Sequence, residues 1–176
     1  MNRRRLLTGI AGLGITGGSA WIALNGLSGD DGGLPRKVTT MRAPGSESGS
    51  VRVPVSDTVT VIDLFATWCS PCAKQMRALT KAHDEYGDDV RFVSITNERI
   101  GGTLTKGDVR SWWKKHDGQW TLGLDPDSEI MSSLNAGGLP FLAVADADGT
   151  IVWSDRGVAS IDTLRSKIEA AKKQSK

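Results

Sequence analysis

Residues 61–65 are apolar at nearly every position, β-branched at the start and interrupted only by Asp63. That is the pattern of a strand buried on both faces. Immediately beyond it Cys72, Met76, Leu79, His83 and Tyr86 recur at helical spacing, so one face of a helix is predicted to run from the Cys69–Cys72 turn to a stop at Gly87. Residues 90–96 predict the next strand. Residues 97–106 read as a Gly-containing loop, and a helix follows from about Asp108 to His116. A short strand is expected at 120–124, then a helix over 127–134 capped by Asp127 or Ser128. The strand at 141–145 joins the one at 151–154 through the turn Asp146-Ala147-Asp148-Gly149. A last helix from near Ser160 buries Ile161, Leu164, Ile168 and Ala171. Residues 51–55 alternate as a strand, which Pro54 confines to a sheet edge. Strands alternating with helices predict an α/β or α+β sheet sandwich containing a βαβ arrangement.

The first 50 residues follow a different pattern. Arg3, Arg4 and Arg5 precede residues 6–27, which carry no charge and are rich in Gly, Ala and Leu. A basic cluster followed by an apolar run is the layout of an export signal, and Arg3-Arg4 resembles a twin-arginine signal. Gly18-Ser19-Ala20 offers a small-residue cleavage site; the uncharged run also has about the 20 residues that span a bilayer. A retained anchor is the favoured reading. Residues 29–50, rich in Gly, Ser, Asp and Pro, read as a tether. The expected organisation is therefore an export signal or membrane anchor over 1–28, a flexible linker over 29–50 and one domain over 51–176. Net charge is +2, and with the three N-terminal arginines set aside the rest is close to neutral. That gives no support to nucleic-acid binding.

Cys69 and Cys72 are the only cysteines in the chain. A Cys-x-x-Cys at a strand-to-helix junction places the first sulfur beside free backbone N–H groups, where thiolate is favoured. The second lies one turn inside, within reach of a mixed disulfide formed by the first. A purely structural disulfide would close too short a loop to contribute much. A metal site would need further ligands, and His83 and His116 match no zinc spacing. Inert buried thiols fit poorly with Trp68, Ser70 and Pro71 around them, which describe an exposed turn. Asp63 is the other unusual residue, because a carboxylate inside a buried strand must be paired, protonated or useful. Trp112, Trp113 and Trp120 cluster in the middle of the chain. Packing of a helix on the sheet is the simpler account of them, and a partner surface the sharper one.

Phe65-Ala66-Thr67-Trp68-Cys69-Ser70-Pro71-Cys72 resembles the active-site signature of thioredoxin-fold proteins, and its Ala-Thr-Trp-Cys form is similar to the exported TlpA/ResA branch. The resemblance covers about residues 55–171. It implies a central mixed sheet flanked by helices, with an inserted segment between the Cys-x-x-Cys helix and a strand preceded by a cis-proline, Pro140. It further implies Cys69 as nucleophile, Cys72 as resolving thiol and Asp63 as the group that moves a proton for Cys72. Trp68 and Pro71 would shape the site, and Leu139-Pro140 would hold the substrate chain. The family commonly has Thr after this proline, where this chain has Phe141. The function implied is thiol–disulfide exchange outside the cytoplasm without a metal or other cofactor. It would reduce disulfides of exported proteins, cytochrome c maturation among the settings, and draw electrons from a membrane donor. An exported oxidant and a thiol-based carrier of a soft metal such as Cu(I) remain as alternatives.

Overall fold

The computed structural model describes residues 33–174. The expected export signal or membrane anchor over residues 1–28 therefore lies outside the described residues. Among those that are described, no helix is long and apolar enough to cross a membrane.

Seven strands form one sheet: β1 Arg36–Thr40, β2 Gly49–Val53, β3 Thr60–Phe65, β4 Arg91–Thr96, β5 Thr121–Leu124, β6 Phe141–Ala145 and β7 Ile151–Arg156. Their spatial order is β2-β1-β5-β4-β3-β6-β7. The central three, β5, β4 and β3, run parallel, whereas β6 and β7 on one side and β1 and β2 on the other pair antiparallel. The helices are α1 Ser70–Tyr86, α2 Lys106–Lys115, α3 Glu129–Ser133 and α4 Ile161–Gln174. This is the thioredoxin-like arrangement, a mixed sheet between helices.

The apolar run of β3 is explained by cores on both faces. Val61 and Phe65 join Met76 and Leu79 of α1, Val109 and Trp113 of α2, and Leu164, Ile168 and Ala171 of α4. Ile62 and Leu64 point the other way, to Ile130 of α3 with Val93, Ile95 and Ala143. Alternation along a strand then puts Asp63 on the α1 side, between Val61 and Phe65. α1 ends at Gly87, whose φ of 53° suits a residue without a side chain.

Three sequence expectations are corrected. Residues 36–50 are not a tether throughout: β1 pairs with β2 over five residues and with β5 at Thr39 and Thr40. Only Val38 and Met41 are buried apolar residues in β1 and the turn after it, so the Gly/Ser/Pro-rich composition hid a strand whose register comes from β5. The strand expected at 51–55 is β2 at Gly49–Val53; it does lie at the sheet edge, and Pro54 follows its last residue. α2 begins at Lys106 rather than Asp108, because Thr105 and Asp108 form a capping box: Thr105 Oγ1 accepts from Asp108 N–H at 3.1 Å, and Asp108 Oδ2 accepts from Thr105 N–H at 2.8 Å. α3 spans only Glu129–Ser133, and neither Asp127 nor Ser128 caps it with a side chain. Asp125 does, accepting from the N–H groups of Glu129 and Ile130 at 2.9 Å each.

Trp113 and Trp120 are buried, and Trp112 stacks on Phe65 at 4.7 Å between ring centroids. Packing accounts for all three. Trp113 also donates from Nε1 to the Pro44 carbonyl at 3.0 Å, fastening the β1–β2 connection to α2. A Cβ at Gly118 would stand inside the Trp113 indole. Gly118→Ala is therefore expected to destabilise the fold by about 1–3 kcal/mol, the usual range for overpacking. Chemical denaturation of the two proteins, with unchanged m-values, measures it.

Candidate active site

The carboxyl ends of β3, β4 and β5 lie at one end of the sheet, because the three strands are parallel. The antiparallel pairing Leu64↔Phe141 brings the start of β6, and with it Leu139-Pro140, to that same end. The pairing Phe141↔Arg156 brings the segment after β7 there as well. Open α/β sheets place their sites outside these carboxyl ends.

The turn after β3 carries the two cysteines. Cys69 is the N-cap of α1, and it is joined to Cys72 by a disulfide with a Cα–Cα separation of 5.2 Å. Its Sγ accepts a hydrogen bond from the Cys72 N–H at 3.2 Å, one of the helix-terminal donors that would otherwise lack a partner. Pro71 fits the first turn of α1, where no intrahelical donor is needed. The turn is exposed, as its residue types suggest, with Trp68 72% accessible. The sulfurs are not: Cys69 and Cys72 are only 4% and 1% accessible. Cys72 begins the buried stripe of α1, so the disulfide seats on the core cluster that also contains Met76 and Phe65. Leu139 packs against that cluster, and the Leu139–Pro140 peptide bond is cis. The Pro140 carbonyl accepts from the Gly157 N–H at 2.9 Å.

Asp63 is 2% accessible, and Ser94 of β4 donates to its Oδ2 at 2.8 Å. Ser94 in turn accepts from Trp120 Nε1 at 2.9 Å. Among the described residues Oδ1 of Asp63 is the one buried side-chain polar atom without a partner. Burial pushes the Asp63 carboxyl up to about 7, against the opposing effect of the Ser94 hydrogen bond. A buried acid with one satisfied oxygen and one bare oxygen is set up to carry a proton on the bare one near neutral pH.

Four residues beyond the expected set shape this end of the sheet. Ser94 and Trp120 tune Asp63. Glu98 accepts from the Thr67 N–H at 2.7 Å and from Thr67 Oγ1 at 2.8 Å, holding the strand-to-helix turn against the end of β4. Gln75, fully buried in α1, accepts from the Ala159 N–H at 2.6 Å and ties the helix to the segment after β7. The signal for Gln75 was a polar residue inside the apolar stripe of a helix. For Glu98 it was the polar run Thr96-Asn97-Glu98 at the end of a buried strand.

A mixed sheet between helices, with a Cys-x-x-Cys disulfide at the first helix after a central strand and a cis-proline opposite, defines a thioredoxin-like redox protein. The chain matches the Redoxin family over residues 39–172 and belongs to it. It is similar to the thiol-disulfide oxidoreductase ResA of a Bacillus cereus strain, with 24% identity over 109 residues, 61% of this chain and 60% of that protein. The chain thus aligns with about three-fifths of the curated relative's length. Among solved structures it resembles StoA from Bacillus subtilis, with a TM-score of 0.61 and 18% identity over 76% of this chain and 96% of that one. It also resembles a secreted Mycobacterium tuberculosis disulfide oxidoreductase homologous to E. coli DsbE, with a TM-score of 0.64 and 20% identity over 77% and 96%. At these identities the two structures establish the shared fold.

Proposed function

We propose that this protein is a thiol–disulfide oxidoreductase that reduces disulfides of exported proteins outside the cytoplasm. The observation that carries the reading is the Cys69–Cys72 disulfide at the N-terminus of α1, with the Cys72 N–H directed at Cys69 Sγ. In the dithiol form that N–H and the helix terminus stabilise negative charge on Cys69. The Cys69 thiolate attacks one sulfur of the substrate disulfide; the other leaves as a thiolate and takes up a proton. Cys72 then loses its proton and attacks Cys69 Sγ, which closes the intramolecular disulfide and releases the second substrate thiol. Two electrons pass to the substrate through the sulfurs alone; of the two protons its thiols gain, one is given up by Cys72 and one comes from solvent, balancing the proton Cys69 had lost.

Asp63 lies on the α1 side of β3, and its bare Oδ1 suits it to accept the Cys72 proton. Trp68, exposed beside the turn, and Pro71 form the rim against which a substrate chain rests. Leu139, joined to Pro140 by a cis bond, offers its backbone to that chain in the manner of a strand edge. A donor in the membrane would return the protein to the dithiol state, and the uncharged run of residues 6–27 would tether it there. The resemblance to the TlpA/ResA branch makes apocytochrome c one class of client.

The test is direct. The reduced full-length protein is mixed with a disulfide-linked peptide, and the products are read by mass spectrometry after acid quenching. The reading expects two free peptide thiols for each protein disulfide formed. Oxidation of the protein by air without peptide reduction would defeat it.

A further inference from the structure

A cleft of about 610 Å³ opens between the exposed side of α1 and the C-terminal end of α2. Its walls carry Lys74, Arg77 and Lys81 from α1, and Lys115 and His116 from the end of α2, against the single carboxylate of Asp117. None of Lys74, Arg77, Lys81 or Lys115 makes an ion pair among the described residues, although other surface arginines, Arg42, Arg99 and Arg165, do. In a chain with 22 basic and 20 acidic residues, this is a local concentration of uncompensated positive charge in a concave site. Burial and the neighbouring Lys115 lower the His116 pKa, against the opposing Asp117, and its ring packs on Trp112 at 4.5 Å between centroids.

The position of the cleft relates it to the cysteines. Lys74 comes two residues after Cys72, and Ala73, which directly follows Cys72, also lines the cleft. From Lys74 to Lys81 the helix rises about 10 Å, the length of about three residues of extended chain. The cleft therefore begins on the first turns of α1, at the residue that follows Cys72.

Resting on the reading of Cys69–Cys72 as a pair that exchanges with protein disulfides, we propose that the Lys74–Arg77–Lys81–Lys115 cleft docks an acidic segment flanking the cysteine of the redox partner. The groove is a specificity element. It steers carboxylate-bearing partners to the disulfide and raises their encounter rate in a salt-dependent way.

Two measurements test it, one of which does not depend on redox chemistry. In the first, a cysteine-free peptide of six glutamates is titrated into the oxidised full-length protein, with the His116 ring resonances as readout and a six-glutamine peptide and inorganic phosphate as comparisons. The glutamate peptide is expected to shift the His116 signals at concentrations at least about tenfold below those needed for phosphate or the glutamine peptide. In the second, kcat/KM is compared for disulfide-linked peptides whose cysteines are flanked by three glutamates or by three glutamines. The acidic substrate should be favoured at least about tenfold at low salt, and the advantage should disappear in 0.5 M salt, roughly where screening is complete.

In the double variant Arg77→Glu, Lys81→Glu the preference should vanish while the rate with the glutamine-flanked peptide is unchanged, which also shows that the variant is folded. Equal use of both peptides by the unaltered protein, or a preference that survives in the variant, overturns the inference and leaves the exchange reading intact. Phosphate binding as tightly as the glutamate peptide, or loss in the variant of binding only to phosphatidylglycerol vesicles, overturns it in favour of a small anion or a membrane surface. If neither disulfide peptide is turned over, the exchange reading fails, and the His116 titration still decides whether the cleft takes acidic chains.

Discussion

Cys72→Ser is expected to stop turnover and convert the protein into a trap. Cys69 keeps its place as N-cap of α1, so the first attack on a substrate disulfide proceeds. The thiol that would displace the substrate is gone, and a serine hydroxyl does not undergo exchange. The mixed disulfide therefore accumulates in a one-to-one ratio, visible as a covalent adduct that dithiothreitol releases. Cys69→Ser should behave differently: it forms no adduct, and its rate of disulfide reduction falls by at least about 10³-fold, to the background of the assay. The reverse pattern, with adducts on the Cys69→Ser protein, would assign the nucleophile to Cys72. The hydrogen bond from the Cys72 N–H to Cys69 Sγ supports the order expected, since it favours negative charge on Cys69.

Asp63→Asn is expected to stabilise the protein above neutral pH while impairing its chemistry. In the fold the carboxyl titrates at about 7, raised from the ordinary 3.8 by burial. The native state thus holds a proton that the unfolded state has released across that interval. The stability tied to the protonated acid is fully present below about pH 4, declines as pH rises toward 7 and is gone above it. A rise of about three pH units corresponds to about 4 kcal/mol, which is the most that asparagine can restore at pH 8. At pH 4 the two proteins should differ little. Urea denaturation at the two pH values measures this, and equal differences at both would contradict a buried, titrating acid. The same substitution should flatten the pH dependence of the second exchange step near pH 7. Ser94→Ala should move that dependence to higher pH, because the hydroxyl holds the carboxyl down.

These two residues show what a sequence can reveal of a site. Cys69-Ser-Pro-Cys72 was legible because spacing and element type together define its chemistry, and Asp63 because a charge interrupts an apolar strand. The central order of elements was legible too: residues 72–86 and 161–171 have clear helical periods, and residues 61–65 form a short apolar run with a β-branched start. What sequence hid depends on partners far along the chain. β1 has little pattern of its own and is placed by pairing with β5, some eighty residues away. The hydrogen bonds from Trp120 to Ser94 and from Ser94 to Asp63 join β3, β4 and the residue just before β5, which no local pattern connects. The depth of the disulfide was hidden too, because exposed Trp68, Ser70 and Pro71 cover sulfurs that turn inward. The cap of α3 was misplaced because Asp125 reaches it from the end of β5, while Ser128 adopts a φ of 56° that turns the chain without capping it.

The central claim is that the Cys69–Cys72 pair delivers electrons to exported proteins, and its reduction potential tests that most directly. The full-length protein is equilibrated with defined ratios of reduced and oxidised dithiothreitol or glutathione, and the dithiol fraction is read by alkylation. The account predicts a value near that of thioredoxin, about −270 mV, which makes the pair a reductant in need of a donor. A value near about −120 mV, typical of a strong periplasmic oxidant, would contradict it and make the protein one that introduces disulfides.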